Sequence, residues 1–151
     1  MKDMKFDWST RTYLTIAGCM VSALLVGCGK AKEPWEVAYP TQGVVKYEGK
    51  PLANAQITLV PDGSDYPDTV RPRGFTKEDG TFQLSTYAEG DGAPEGKYKV
   101  LAMRFPVVGS KENPSQAPNN LPRKYSNPET TDLKVEVSAP KTELTPLELR
   151  R

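Results

Sequence analysis

Residues 73–86, Arg-Gly-Phe-Thr-Lys-Glu-Asp-Gly-Thr-Phe-Gln-Leu-Ser-Thr, narrow the folds open to this chain more than any other stretch. Asp79-Gly80 is a reversal signal, because glycine adopts the positive φ of a tight hairpin at no steric cost. After it the chain alternates: Phe82 and Leu84 point one way, and Thr81, Gln83 and Ser85 the other. The incoming strand is expected to place Phe75 on the apolar side with them. A three-residue loop bulged at Gly80 is the alternative; it shifts the incoming register by one and turns its faces over. An isolated hairpin is marginal in water. Phe82 and Leu84 therefore require a second layer from the rest of the chain.

Short alternating runs supply it. Val45 and Tyr47 alternate with Val44, Lys46 and Glu48 before a turn at Glu48-Gly49-Lys50-Pro51. Ala55, Ile57 and Leu59 share one face of a half-buried strand, with Gln56, Thr58 and Val60 opposite. Tyr98, Val100, Ala102 and Arg104 share a face opposite Lys97, Lys99, Leu101 and Met103. Leu133, Val135 and Val137 alternate with Lys134, Glu136 and Ser138, and Leu147 and Leu149 close the chain. No useful window shows a 3.6-residue apolar period. The 14 prolines and 12 glycines add frequent turns. Seven short strands of this kind predict an all-β antiparallel sandwich. Residues 106–132 break the rhythm with five prolines, and a loop that long is either functional or mobile. Within it Leu121 and Tyr125 are expected to anchor on the sandwich, and Lys111, Glu112, Asn113, Asn119 and Asn120 to lie near a polar tip.

Composition removes several kinds of chemistry. There is no histidine, which takes away the commonest general base and metal ligand. Both cysteines, Cys19 and Cys28, precede the strand-forming part, which therefore has neither a disulfide framework nor a Cys/His zinc site. Without residues 1–27 the charges balance at 17 basic and 17 acidic side chains. A neutral chain argues against nucleic acid as a partner, since phosphate neutralisation needs a basic face.

The N-terminus carries an address. Lys2, Lys5 and Arg11 precede an apolar run over residues 13–28, too short for a comfortable membrane span and suited to a secretory signal. The run ends in Leu25-Val26-Gly27-Cys28, which resembles the lipobox of bacterial lipoproteins. That resemblance implies a thioether-linked diacylglycerol on Cys28, cleavage before it, and acylation of the new amine. Two or three acyl chains, at about 0.8 kcal/mol per buried CH₂, make a stable anchor. The expected organisation is a signal peptide over 1–27, a lipidated tether over 28–39 and one domain over 40–151. Gly29, in place of the aspartate that marks inner-membrane retention, favours the outer membrane. Trp35 in the tether is expected to pack on the domain rather than among lipid headgroups.

Three segments carry a further resemblance: Gly43-Val-Val-Lys-Tyr-Glu-Gly-Lys-Pro-Leu-Ala-Asn-Ala-Gln-Ile-Thr-Leu-Val-Pro61, Gly74-Phe-Thr-Lys-Glu-Asp-Gly-Thr-Phe-Gln-Leu84 and Gly96-Lys-Tyr-Lys-Val100. Together with Leu121, Pro122, Tyr125, Thr130, Leu133, Val135 and Val137, they resemble carboxypeptidase regulatory-like, transthyretin-like domains of short planctomycete-type lipoproteins. The resemblance implies a seven-stranded antiparallel Greek-key sandwich without catalytic residues. It brings no site onto this chain.

The remaining candidate sites are weak. Asp62, Asp65 and Asp68 gather carboxylates, but their spacing is not that of an EF-hand loop, and a solvated turn is expected. Ser64, Ser85 and Thr86 have no histidine to form a triad. Tyr39, Tyr47, Tyr66, Tyr87, Tyr98 and Tyr125 are expected to pack rather than to stack on sugars, and Lys97, Lys99 and Arg104 to form a solvated stripe. No catalytic, cofactor or metal residue is expected. The functional expectation is a non-catalytic, lipid-anchored cell-envelope module, attached to the membrane through Cys28, with an envelope protein or glycan as partner. The alternative is an accessory or periplasmic protein presenting a small, carbohydrate-like ligand.

Overall fold

A computed structural model describes residues 31–63 and 66–151. Residues 1–30, which hold the expected signal peptide and Cys28, lie outside the described residues. The folded unit spans Lys32–Arg151. In chain order its strands are β1 (Ala38–Tyr39), β2 (Thr41–Tyr47), β3 (Lys50–Pro51), β4 (Gln56–Pro61), β5 (Arg73–Phe75), β6 (Thr81–Gln83), β7 (Ala93–Pro94) and β8 (Gly96–Met103). There follow β9 (Val107–Gly109), β10 (Pro114–Gln116), β11 (Lys134–Val137), β12 (Thr142–Glu143) and β13 (Leu147–Leu149).

Seven of these, β2, β4, β5, β6, β8, β11 and β13, are the seven alternating runs of the sequence, and they form two sheets. One sheet has the order β11-β8-β4-β5, antiparallel throughout. The other is built on β2, with β6 and β3 antiparallel to it. Alternation puts Val45, Ile57, Leu59, Phe82, Leu84, Tyr98, Val100, Val137, Leu147 and Leu149 between the sheets, all buried. The all-β sandwich expected from the alternation is the fold.

Two pairings depart from an antiparallel arrangement: β12 and β13 run parallel to β2. The path of the chain forces this. β1 pairs with β7, and β2 and β8 follow them directly, so β2 and β8 start at the same pole of the sandwich. β11 runs antiparallel to β8 and returns to that pole, with Val137 opposite Gly96. A strand that begins there and packs beside β2 can only run with it.

The central hairpin takes the bulged form. Lys77 N–H donates to the Thr81 carbonyl (2.8 Å) and Gly80 N–H to the Lys77 carbonyl (2.9 Å), which leaves Glu78, Asp79 and Gly80 in the loop, with Gly80 at φ +80°. Asp79 Oδ1 accepts from the Thr81 N–H (2.9 Å) and hydroxyl (2.7 Å) and fixes the turn. Phe75 is consequently not on the apolar face. It points outward at 66% exposure, while its neighbours Gly74 and Thr76 face inward. The hairpin also bends between layers, because β5 pairs with β4 and β6 with β2. That bend supplies the second layer that Phe82 and Leu84 require.

Residues 34–39, placed by the sequence in a tether, lie on the sandwich. Pro34–Glu36 form a 3-10 turn closed by a capping box between Glu33 and Glu36, and β1 is hydrogen-bonded to β7.

Candidate functional site

The 106–132 excursion has two parts with different physics. The outgoing part is a two-stranded ribbon. β9 pairs with β10, Val107 opposite Gln116, Val108 opposite Ser115 and Gly109 opposite Pro114, and all six residues are exposed. The return leg is pinned. Asn119 Oδ1 accepts from the N–H of Arg104 (2.9 Å) and of Leu121 (3.2 Å). Asn120 N–H donates to the Arg104 carbonyl (3.0 Å), and Arg104 Nε donates to Asn120 Oδ1 (2.9 Å). Leu121 and Tyr125 are buried, as expected, the latter on a 3-10 turn at Arg123–Ser126. The Tyr125 hydroxyl accepts from Arg150 N–H (2.9 Å) and lies 3.2 Å from the Arg150 carbonyl. Asn119 and Asn120, placed at a polar tip by the sequence, are therefore struts. The tip is the turn at 110–113, where the Ser110 hydroxyl holds the Glu112 carboxyl below its ordinary range.

The ribbon lies at the pole away from β1. β8 runs from Gly96 at the β1–β7 pole to Met103 at the other, and β9 follows four residues later. It carries exposed apolar surface: Val107 is 75% and Val108 48% exposed, with Phe105 beside them. It also carries an open edge. The register and the Ala117-to-Pro106 and Asn113-to-Ser110 backbone bonds turn the amide groups of Val108 and Ser115 inward and those of Val107 and Gly109 outward. On β10 that edge is blunted by Pro114, and on β11 the sheet edge carries Lys134 and Glu136. β9 has no such guard. Unpaired backbone beside apolar side chains is the chemistry by which an extended segment is recognised.

Two surface hollows lie elsewhere on the domain. One of about 190 Å³ is lined by Pro61, Asp62, Gly63, Tyr66, Gly96 and Lys97, below the roughly 300–1,000 Å³ of typical ligand sites. The other, about 510 Å³, lies over β2, β6 and β12 and has a mixed lining, with Val44, Phe82, Leu144 and Pro146 beside Gln42, Thr81, Gln83 and Glu143.

The other candidates are drawn into structural roles. Asp62 accepts from Lys134 Nζ (2.9 Å) and pairs with Lys99 (3.8 Å), Asp68 pairs with Arg71 (3.3 Å), and Asp65 and Ser64 lie outside the described residues. Asp62 and Asp68 thus face different cations. Among the described residues no group of His, Cys, Asp or Glu is arranged to hold a metal. Ser85 Oγ accepts from Gly90 N–H (2.8 Å), and the Thr86 hydroxyl donates to the Gly92 carbonyl (2.6 Å). Of the six tyrosines only Tyr87 is exposed. Lys99 and Arg104 have partners within the domain, and Lys97 is exposed. Among the described residues no helix is long and apolar enough to cross a membrane.

No family model matches the chain, and no curated protein matches it. Among solved structures it is similar to a 9R-lipoxygenase from Cyanothece (TM-score 0.44, 16% identity), over 78% of this chain and 17% of that one. It is similar to the major pilin subunit BcpA of Bacillus cereus (TM-score 0.45, 12% identity), over 76% of this chain and 30% of that one. A Pseudomonas aeruginosa protein provisionally described as carbohydrate-binding is similar at TM-score 0.38 and 14% identity, over 80% of this chain and 92% of that one. The chain spans less than a third of the first two proteins. At these identities none of the three brings an activity to it.

Proposed function

We propose that this chain is a non-catalytic, lipid-anchored protein of the cell envelope, whose sandwich, of the carboxypeptidase regulatory-like type, presents the β9–β10 ribbon to an envelope protein. The observation that carries this reading is the distribution of apolar surface. The space between the sheets is filled by buried side chains, while Phe105, Val107 and Val108, within four residues of one another, stand in solvent beside an unguarded strand edge. The Leu25–Cys28 pattern supports the anchor, and Gly29 the outer membrane. A photo-crosslinking amino acid at Val107, with one at Glu78 as control, tests the reading in intact envelopes. A discrete protein adduct at 107 and none at 78 is expected. Equal labelling at both positions, or none at 107, refutes it.

A second reading has its own observation. The 510 Å³ hollow offers amide and carboxylate groups from Gln42, Gln83 and Glu143, groups suited to hydroxyl-rich, carbohydrate-like ligands. Glycan-array binding that is lost in Glu143→Gln would favour it over the ribbon.

A further inference from the structure

The pole at which the chain enters the sandwich carries the densest aromatic cluster of the described residues. The Trp35 and Tyr66 rings meet edge to face at 6.0 Å, and Tyr66 meets Tyr98 at 6.3 Å. Tyr98 is buried and donates to the Pro94 carbonyl (2.8 Å), so the cluster is rooted in the core. Tyr87 joins through its hydroxyl, which donates to the Trp35 carbonyl, and Tyr66 donates to the Glu95 carbonyl. Each phenol thus satisfies its donor within the protein, while Tyr87 keeps 55% of its surface, and Trp35 and Tyr66 part of theirs, towards solvent. Amphipathic rings with their polar atoms occupied suit the boundary between headgroups and acyl chains.

Chain length sets how far this cluster can stand from a bilayer. The 3-10 turn begins at Pro34, so residues 29–33 are all that separate it from Cys28. Five residues span at most roughly 18 Å even when fully extended. The surrounding charges are of both signs. Glu33, Glu36 and Glu95 lie beside the rings, and the exposed Lys32 and Lys97 lie at the same pole, Lys97 lining a hollow with Tyr66. A mixed rim of this kind suits phosphatidylcholine and phosphatidylethanolamine headgroups, each of which carries a phosphate and an ammonium group.

We propose that the Trp35–Tyr66–Tyr87 pole is a bilayer-contact surface, seated among zwitterionic phospholipid headgroups and holding the domain in one orientation, with the β9–β10 ribbon pointing away from the membrane. This rests on lipidation at Cys28. The lipid supplies attachment, and the aromatic pole supplies orientation. Trp35 also lies outside the discarded segment that holds Trp8, so it is the only tryptophan of the mature chain and reports on itself.

The experiment uses the processed protein in phosphatidylcholine–phosphatidylethanolamine vesicles containing lipids brominated near the headgroup end of the acyl chain. Intact mass and vesicle flotation establish lipidation independently of the fluorescence. A second protein, Trp35→Phe with Phe105→Trp, places the probe at the opposite pole. The expected result is about twofold quenching of Trp35, which would sit roughly 5–10 Å into the interface, and no quenching at position 105. A lipidated, floating protein whose Trp35 is unquenched, or which is quenched equally at both positions, overturns the contact surface and leaves the anchor standing. A mature mass without lipid overturns the anchor and the contact surface with it.

Discussion

Gly80 has no room for a side chain. A Cβ there would lie 2.5 Å from the Val45 carbonyl oxygen and 3.2 Å from the Leu52 nitrogen, and the backbone sits at φ +80°. Gly80→Val should cost roughly 3 kcal/mol or more from strain and clash together, and Lys77→Ala under about 0.5 kcal/mol; thermal melts of the two variants decide it. Beside it, the Thr81 hydroxyl and amide hold the Asp79 carboxyl below its ordinary value of 3.8. The Lys134 ammonium, hydrogen-bonded to Asp62, does the same there, with Lys99 adding to it. A carboxyl depressed on folding contributes stability that is complete above its unfolded value and lost as pH falls through the folded one. Stability should therefore decline as pH drops below about 4. Asp62→Asn and Asp79→Asn should flatten that acid limb, as melting temperature against pH will show. With no histidine to titrate, stability should stay level between about pH 5.5 and 8.5. The turn was legible at this scale, and the face of Phe75 was not. Its direction depends on whether the loop has two residues or three, and Gly80 suits both.

At the scale of elements, the 106–132 excursion shows where pattern-reading ends. Its prolines announced a departure from the strand rhythm, and Leu121 and Tyr125 announced an anchor. The ribbon was hidden because Val107-Val108-Gly109 and Pro114-Ser115-Gln116 are too short for alternation to register. The strut role of Asn119 was hidden because an asparagine in a polar loop serves equally as turn former or tip. The two parts should respond differently to change. Joining Val108 to Ser115, a hydrogen-bonded pair, through Asn-Gly should leave the melting temperature within a few degrees, since every residue removed is exposed. Asn119→Ala should cost about 1–2 kcal/mol, because the Arg104 and Leu121 amides lose their shared acceptor. Equal losses from both would mean that the ribbon is structural.

For the whole molecule, all seven sandwich strands were legible as alternating runs, and their inward residues were named correctly at Ile57, Leu59, Tyr98, Val100 and Leu149. Alternation carries no direction, however. The parallel course of β13 beside β2 appears only once the chain is followed to the pole where β11 ends. Leu149 accepts from the Glu48 amide (3.0 Å), and Arg151 N–H reaches Glu48 Oε1 (2.9 Å), which ties the last residues to the turn after β2. For protein engineering this sets the polarity of a display scaffold. A passenger sequence joined beyond Arg151 would depart from the end of the sandwich opposite Trp35, about 20 Å away by the rise of the seven residues of β2. A fluorescent or affinity tag belongs there, where it leaves the entry pole uncovered, and a linker inserted before Pro34 would instead lengthen the leash without moving the passenger on the domain.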